Sequence, residues 1–348
     1  MIANIPDFRV TLDGTDLTGT LREQVEGLDG RIRSRLISLG ITEKRGESAD
    51  QLDIVLDDSD GRLALPATGA VLQIQIGWKQ GSDVTPGLVD KGSFKVDEVS
   101  HSGPPDVVTI RARSADFTSD LKTRREKGWN GTTLGAIVRE VAGRHKLKPA
   151  CAPALARIPI AAKAQSRESD LAFLRRLGRE HDAVATIKHG RLILSPIGTG
   201  ATPSGRALPT LTIRRRDGDS HNFNRQKRDD VPGVTATWHD RKAGKRQTFT
   251  AGKIEGAKKL SRVYGSEEDA QRAANAAHSR GQREPLSLDL TLALGRADVS
   301  PEQKATVSGF KAEIDAVEWI VGEVSHSLGD SGYLTKLKLE TGSTSTPA

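Results

Sequence analysis

The side chains with the widest chemical range in this sequence are eight histidines, at 101, 145, 181, 189, 221, 239, 278 and 326, and one cysteine, Cys151. Metal binding or nucleophilic catalysis would need several of them at fixed spacing. No His-Glu-x-x-His pair occurs, and no cysteine–histidine cluster has the spacing of zinc ligands. His145 stands six residues before Cys151, which raises the question of a thiol activated by a base. A loop cysteine after a helix-end histidine reads as structural. His239-Asp240 precedes a turn and reads as solvated. Asp57, Asp58 and Asp60 have the carboxylate density of a calcium loop, but the position that should supply a glutamate holds Thr68, so the segment reads as a turn. There is no Gly-x-Ser-x-Gly elbow and no phosphate-cradling Gly-x-x-x-x-Gly-Lys loop. These residues predict no catalytic residue, no metal site and no cofactor, and the chain is expected not to be an enzyme.

Two basic runs remain, at 122–127 and at Arg214-Arg215-Arg216. One reading has them touch nucleic acid in passing. Single-strand binders add stacking aromatics, yet aromatics are 4% of the chain and none interleaves either run. Solvated or ion-paired faces are the preferred reading, with at most transient contact to passing DNA. The net charge of +7 is spread along 348 residues and so is a weak pointer to nucleic acid. A single cysteine excludes an internal disulfide framework. No apolar stretch reaches the length of a membrane-spanning helix, and the first residues lack a basic region followed by an apolar run, so synthesis in the cytosol is expected.

The elements that would position these residues are mostly strands. In 1–117, residues 8–12 alternate and stop at Asp13-Gly14, a hairpin signal. Residues 32–41 read as one strand. Leu52, Ile54 and Leu56 share a face, as do Leu72, Ile74, Ile76 and Trp78, and strands at 94–101 and 107–113 close the set. Short, regularly spaced strands predict an antiparallel β-barrel. In 118–197 the pattern changes to a small α+β domain. Thr132 or Thr133 caps a helix with Leu134, Ile137, Val138 and Val141 inward, a second helix runs over 168–181, and a hairpin turns at His189-Gly190. Residues 198–210 read as a linker. Residues 211–342 return to β as a second barrel containing one helix, capped by Ser266 and striped with alanine. Residues 343–348 read as a frayed tail.

The two β regions share an echo. Residues 94–102 resemble 319–327, and Glu-Val-Ser-His-Ser is identical in both. Both copies also slip phase: the apolar alternation holds through Val96 and Val321, then shifts by one residue before Val99 and Val324. A slip of one residue is what a β-bulge produces, so bulges are predicted near Asp97-Glu98 and near Gly322-Glu323. His101 and His326 are expected to share one structural role at a barrel rim. A duplicated barrel has a symmetry consequence, because three such chains in a ring carry six copies.

Several segments then resemble a known family. Ala49-Asp50-Gln51-Leu52-Asp53-Ile54 runs into Leu56-Asp57-Asp58. Leu72 leads through to Gly77-Trp78, and Val89-Asp90-Lys91-Gly92 precedes Phe94. The ending has Trp319-Ile320-Val321, Ser325-His326 and Gly332-Tyr333-Leu334-Thr335. In order and spacing these resemble the phage late control gene D family, hub proteins of contractile-tail baseplates in phages such as P2 and Mu and in R-type tailocins. The resemblance implies a homotrimer with two tube-like β-barrel domains per chain. It would lie in the virion between the hexameric tail tube and the trimeric tail spike protein, in contact with other baseplate proteins. The passage 23–35 is longer than the family's usual one, which leaves the early strand register open. Two competing functions are a hub-borne peptidoglycan-binding or cell-wall-degrading protein, for which the α+β unit is the candidate, and a DNA-binding late regulator. No helix-turn-helix in a basic setting supports the latter.

Overall fold

The computed structural model describes residues 2–26, 32–46, 49–114, 121, 123–225, 232–240, 243–283, 286–330 and 332–341. Lys122 and the expected tail 343–348 lie outside these. Strands β1 (Ile5–Leu12) and β2 (Thr15–Asp16) flank Asp13-Gly14, where φ is 46° and 85°, the positive values a two-residue hairpin turn requires. After a single turn, α1 (Thr18–Leu21), strands β3 (Gln24–Glu26) and β4 (Ile32–Ser34) pair with each other. Within the long passage 23–35, residues 24–26 and 32–34 are thus paired antiparallel. The single strand expected over 32–41 is broken at Arg35. Its guanidinium is buried, 2% exposed, donating to both Asp60 carboxylate oxygens (2.7 and 3.1 Å) and to the Asp57 carbonyl (3.2 Å). Then come β5 (Leu36–Lys44), β6 (Gln51–Asp57), β7 (Val71–Gln80), β8 (Gly87–Ser102) and β9 (Val107–Ser114). The alternating apolar faces of β6 and β7 are buried as expected.

The α+β insertion follows, with β10 (Arg124–Thr133), α2 (Leu134–Arg144), β11 (Lys148–Cys151), α3 (Pro153–Ala156), β12 (Pro159–Ser169), α4 (Asp170–Glu180), β13 (Ala183–Lys188) and β14 (Arg191–Pro196). The hydroxyls of Thr133 and Ser169 accept from the amides of Ala136 and Ala172, satisfying donors that each helix start would leave open. The inward residues of both helices share one core with Trp129 and the β13–β14 hairpin.

The remaining elements are β15 (Leu211–Arg214), β16 (Gly218–Arg225), β17 (Gly233–Asp240), β18 (Lys245–Gly252), β19 (Lys258–Tyr264), α5 (Glu267–Arg283), β20 (Leu286–Leu292), β21 (Lys304–Ser308), α6 (Ala312–Asp315), β22 (Trp319–Gly329) and β23 (Gly332–Thr341). Val234, Ala236 and Trp238 alternate as a sheet strand should. Within the stretch expected to form a second barrel, however, β17 does not join the large sheet. Among the described residues it pairs with β18 and β19 alone, and Ala270, Ala273 and Ala274 of α5 cover that small sheet. The Ser266 hydroxyl caps α5 by accepting from the Asp269 amide.

The echo is a repeat of topology. The first unit has the strand order β1-β7-β8-β9-β6-β5 and the second β15-β21-β22-β23-β20-β16, so strands taken in chain order fall in the same places. One rung crosses five strands as Val71·Lys95·Arg113·Gln51·Thr42; its counterpart is Lys304·Ile320·Glu340·Ser287·Asn224. Both predicted bulges are present, with register shifts between Val96 and Glu98 and between Val321 and Glu323. A second bulge is also repeated, between Leu36 and Ser38 and between Gly218 and Ser220. Val96 exchanges backbone hydrogen bonds with Gly69 and Ala70, as Val321 does with Glu302 and Gln303. The first strands differ: β1 is antiparallel to β7, whereas β15 is parallel to β21. The chain leading into β15 explains the difference. It passes the start of β21, where the Gly198 amide donates to Glu302, and so delivers β15 from the opposite end.

The two units are not separate sheets. Residues 323–329 of β22 pair antiparallel with residues 38–44 of β5, which makes one sheet of 13 strands.

Candidate functional site

The joint between the two units encloses a buried polar network. Its backbone is the β5–β22 pairing, which sets Val324 opposite Glu43, Ser325 opposite Thr42 and His326 opposite Ile41. Ile41 and Val324 are fully buried, and the hydroxyls of Thr42 and Ser325 meet at 3.1 Å. Beneath them lies a buried charge network. The Lys91 ammonium, its side chain 4% exposed, donates to Glu43 at 2.6 Å, and the His326 ring faces the same carboxylate at 3.4 Å through Nε2. With Nε2–H toward the carboxylate, Nδ1 is left with one lone pair, which accepts from one of the two hydroxyls within reach, Thr335 (3.0 Å) or Tyr333 (3.2 Å). Burial alone would raise the Glu43 carboxyl. The His326 contact and the Lys91 charge outweigh it and hold the group at about 2. Burial also lowers the His326 pKa, so the ring is neutral, and raises the Tyr333 phenol, which stays protonated.

Apolar and ionic contacts reinforce the joint. Trp78 of the first unit packs on Tyr333 of the second at 5.3 Å and donates its indole N–H to the Gly295 carbonyl at 2.8 Å. Arg45, just past β5, reaches Glu302 and, at 2.8 Å, Glu340. Lys188 of the α+β unit pairs with Asp50 at 3.0 Å. Sequence reasoning missed Glu43, Arg45 and Lys91 as interior groups. The one signal in the sequence is the Val89-Asp90-Lys91-Gly92 segment, which carries part of the family resemblance and names no role for Lys91.

The histidine pair expected to share a role sits in two environments, which corrects that reading. His326 is enclosed in the joint, while His101 is exposed and lies 3.4 Å from Asp58. The reason is the strand edge: residues 323–329 are covered by β5, and residues 98–102, their counterparts, have no strand on that edge among the described residues.

The other candidates are engaged elsewhere. His145 is not joined to Cys151; its Nε2 meets the fully buried Asp170 at 2.8 Å, beside Arg144 and Gln165. Burial pushes the Cys151 thiol up to about 11, which suppresses the thiolate a nucleophile needs. Burial lowers His181 to about 4. His189 and His239 are exposed, and His221 lies edge-on to Phe310. Asp57 and Asp58 accept amides of their own turn, from Ser59 and Leu63, and Asp60 holds Arg35. Among the described residues no three histidine, cysteine or acidic side chains group as a metal site, and no helix is long and apolar enough to cross a membrane. Part of each basic run is engaged within the chain: Arg125 with Asp170, Lys127 with Glu140 and over Trp129, Arg215 with the Gly218 carbonyl and over Phe310, while Arg124, Arg214 and Arg216 are exposed.

Comparison with known proteins gives a consistent picture. A family profile described as phage tail baseplate hub (GPD) matches residues 50–332. The chain is 40% identical to the probable baseplate hub protein of Escherichia phage P2, over 96% of this chain and 93% of that one. It is 39% identical to the probable baseplate hub protein of Escherichia phage 186, over 96% and 92%. Among solved structures, the 43 kDa tail protein of prophage MuSo2 from Shewanella oneidensis superposes with a TM-score of 0.67 over 96% of this chain and 98% of that one, at 15% identity, a likeness of fold.

Proposed function

The chain belongs to the phage tail baseplate hub family, and from that premise we propose that three copies close into a ring that joins the six-fold tail tube to the three-fold spike. It is a structural component of the virion, made in the host cytoplasm, and its work is binding, with no chemical step. The observation that carries the reading is the repeat: two units in one chain share strand order, the register of five strands and both bulges, and differ in the direction of the first strand. A ring of three such chains presents six similar units to a hexameric partner and three whole chains to a trimeric one. In this reading each unit curls into a tube-like barrel, and the α+β unit is a docking spacer toward neighbouring baseplate parts.

Sedimentation of the full chain at micromolar concentration tests the proposal. The expected species has about three times the 37.4 kDa chain mass. A chain that stays at 37.4 kDa up to 100 µM, a concentration on the order of that at which weak assembly interfaces are occupied, overturns it.

A further inference from the structure

The net charge of +7 is dispersed along the sequence, but folding gathers positive charge at one place. A cleft of about 430 Å³ opens where the α+β unit and α5 meet the strands of the joint. Its lining holds six cations against two carboxylates, an excess of four positive charges. Lys44 and Arg45 come from the end of β5 and the residue after it, Arg175 and Arg179 from α4, Arg280 from α5 and Lys338 from β23.

The fold holds these groups in place. Arg175 and Arg179 lie one turn apart on α4 and so share a face. Arg280 of α5 donates to the Arg179 carbonyl at 2.9 Å, which ties the two helices together at the rim. On the sheet side, Glu323 stands in register between Lys44 and Lys338. Gly46, at φ 151°, comes so close to β13 that a Cβ there would lie 2.5 Å from the Val184 side chain. The cleft is therefore already formed before anything enters it.

Part of the charge is spent inside the chain. Arg45 is held by Glu302 and Glu340, and Glu323 lies 3.6 Å from Lys44. Arg176, the next residue on α4, is bound by both Glu168 and Glu180. Arg179, Arg280 and Lys338 differ: among the described residues they make no ion pair. An arginine in the last turn of a helix complements the helix dipole, but each helix end carries only about half a negative charge. The ends of α4 and α5 together still leave the cleft positive.

We infer that this cleft seats an acidic peptide segment of a neighbouring baseplate protein, with its carboxylates on Arg179, Arg280 and Lys338. The inference deepens the docking role proposed above for the α+β unit and rests on that reading. The planar fork of an arginine matches a carboxylate. Ala183, Val184, Ala185 and Ile197 add an apolar wall against which the methylene groups of glutamate stems are buried. Nucleic acid fits less well. The cations ring a concave site instead of following a backbone, and no aromatic side chain lines it for a base to stack on.

Fluorescence anisotropy of a fluorescein-labelled hexaglutamate peptide, titrated with the full chain at low ionic strength, tests the cleft. The variant Arg179→Ala/Arg280→Ala/Lys338→Ala is expected to bind about ten-fold more weakly, through the loss of three partly screened contacts. Arg124→Ala/Arg214→Ala/Arg216→Ala removes the same charge from exposed positions that do not line the cleft, and is expected to bind as the parent does. Glu323→Gln removes one of the two carboxylates and is expected to tighten binding about three-fold, a gain that misfolding does not produce. A parent chain that does not bind the peptide, two triple variants weakened alike, or a Glu323→Gln chain that binds no more tightly overturns the inference. A labelled oligothymidylate that binds more tightly than the peptide, and loses that affinity in the cleft variant, overturns the peptide in favour of nucleic acid. Sedimentation of the same samples keeps the two readings apart. A trimer that fails to bind overturns the cleft and leaves the ring, whereas a monomer that binds through the cleft overturns the ring and leaves the cleft.

Discussion

Replacing Lys91 with methionine probes the buried network directly. Its ammonium lies 2.6 Å from Glu43, and the two side chains are 4% and 11% exposed. At an effective dielectric of about 20, two charges at that distance attract by roughly 6 kcal/mol. Most of that offsets the desolvation of the pair, so the relevant magnitude is the penalty of leaving one charge alone, about 3–5 kcal/mol. His326 still faces Glu43 at 3.4 Å, so the expected loss sits at the low end, about 3 kcal/mol. The loss is expected to depend on pH with a definite sign. Without Lys91, burial raises the Glu43 carboxyl, which takes up a proton in mild acid and escapes the penalty, so Lys91→Met is more damaging at pH 8 than at pH 5. The double variant Glu43→Gln/Lys91→Met removes both charges and keeps a donor and acceptor for His326; it is expected to recover most of the loss. Urea unfolding followed by tryptophan fluorescence reads these differences, because Trp78 packs on Tyr333 at this joint. A single variant within 1 kcal/mol of the parent at pH 8, about the size of an exposed ion pair, or a double variant no better than the single, would refute the account.

In the parent protein, the Glu43 carboxyl is held at about 2, well below the ordinary glutamate value of 4.5. That depressed pKa contributes stability present above pH 4.5 and lost as pH falls toward 2, about 3 kcal/mol in all. Buried neutral His326 acts in the same direction, because the unfolded chain gains a proton below pH 6.5 that the folded ring resists. Unfolding curves taken from pH 7 to 2 should fall accordingly and should fall less in Glu43→Gln; identical acid limbs would count against the assignment. Gly295→Ala places a methyl into the ring of Tyr333, an overpacking expected to cost about 1–3 kcal/mol. Thermal unfolding measures it, and an unshifted midpoint would show that the joint is looser than described.

Much of this fold was legible in the sequence because its signal is periodic. Leu72, Ile74, Ile76 and Trp78 show a face, and a slipped face after Val96 and Val321 shows a bulge, since side-chain sense alternates residue by residue. The hairpin turns at Asp13-Gly14 and His189-Gly190 were legible from residues that tolerate positive φ. Strand partnership was not. Val234, Ala236 and Trp238 alternate equally well in the large sheet or beside α5, and nothing in their types says which. The β5–β22 joint escaped for the same reason, as edge pairing is made by backbone groups that every residue carries. Arg35, Arg45 and Lys91 escaped because a buried cation and a surface one look alike until the carboxylates that enclose them are placed. The length of the passage 23–35 is legible in the sequence, but the pairing of β3 with β4 inside it is not.

The repeat is unequally furnished. The α+β unit and the small sheet with α5 each occur once per chain, while the strands that form the joint occur twice. In the proposed collar, the strand unit would therefore recur at every sixty-degree step, and the α+β unit only at every third of a turn. In such a collar a change of symmetry would need no second polypeptide, because each chain carries the strand unit twice and the α+β unit once.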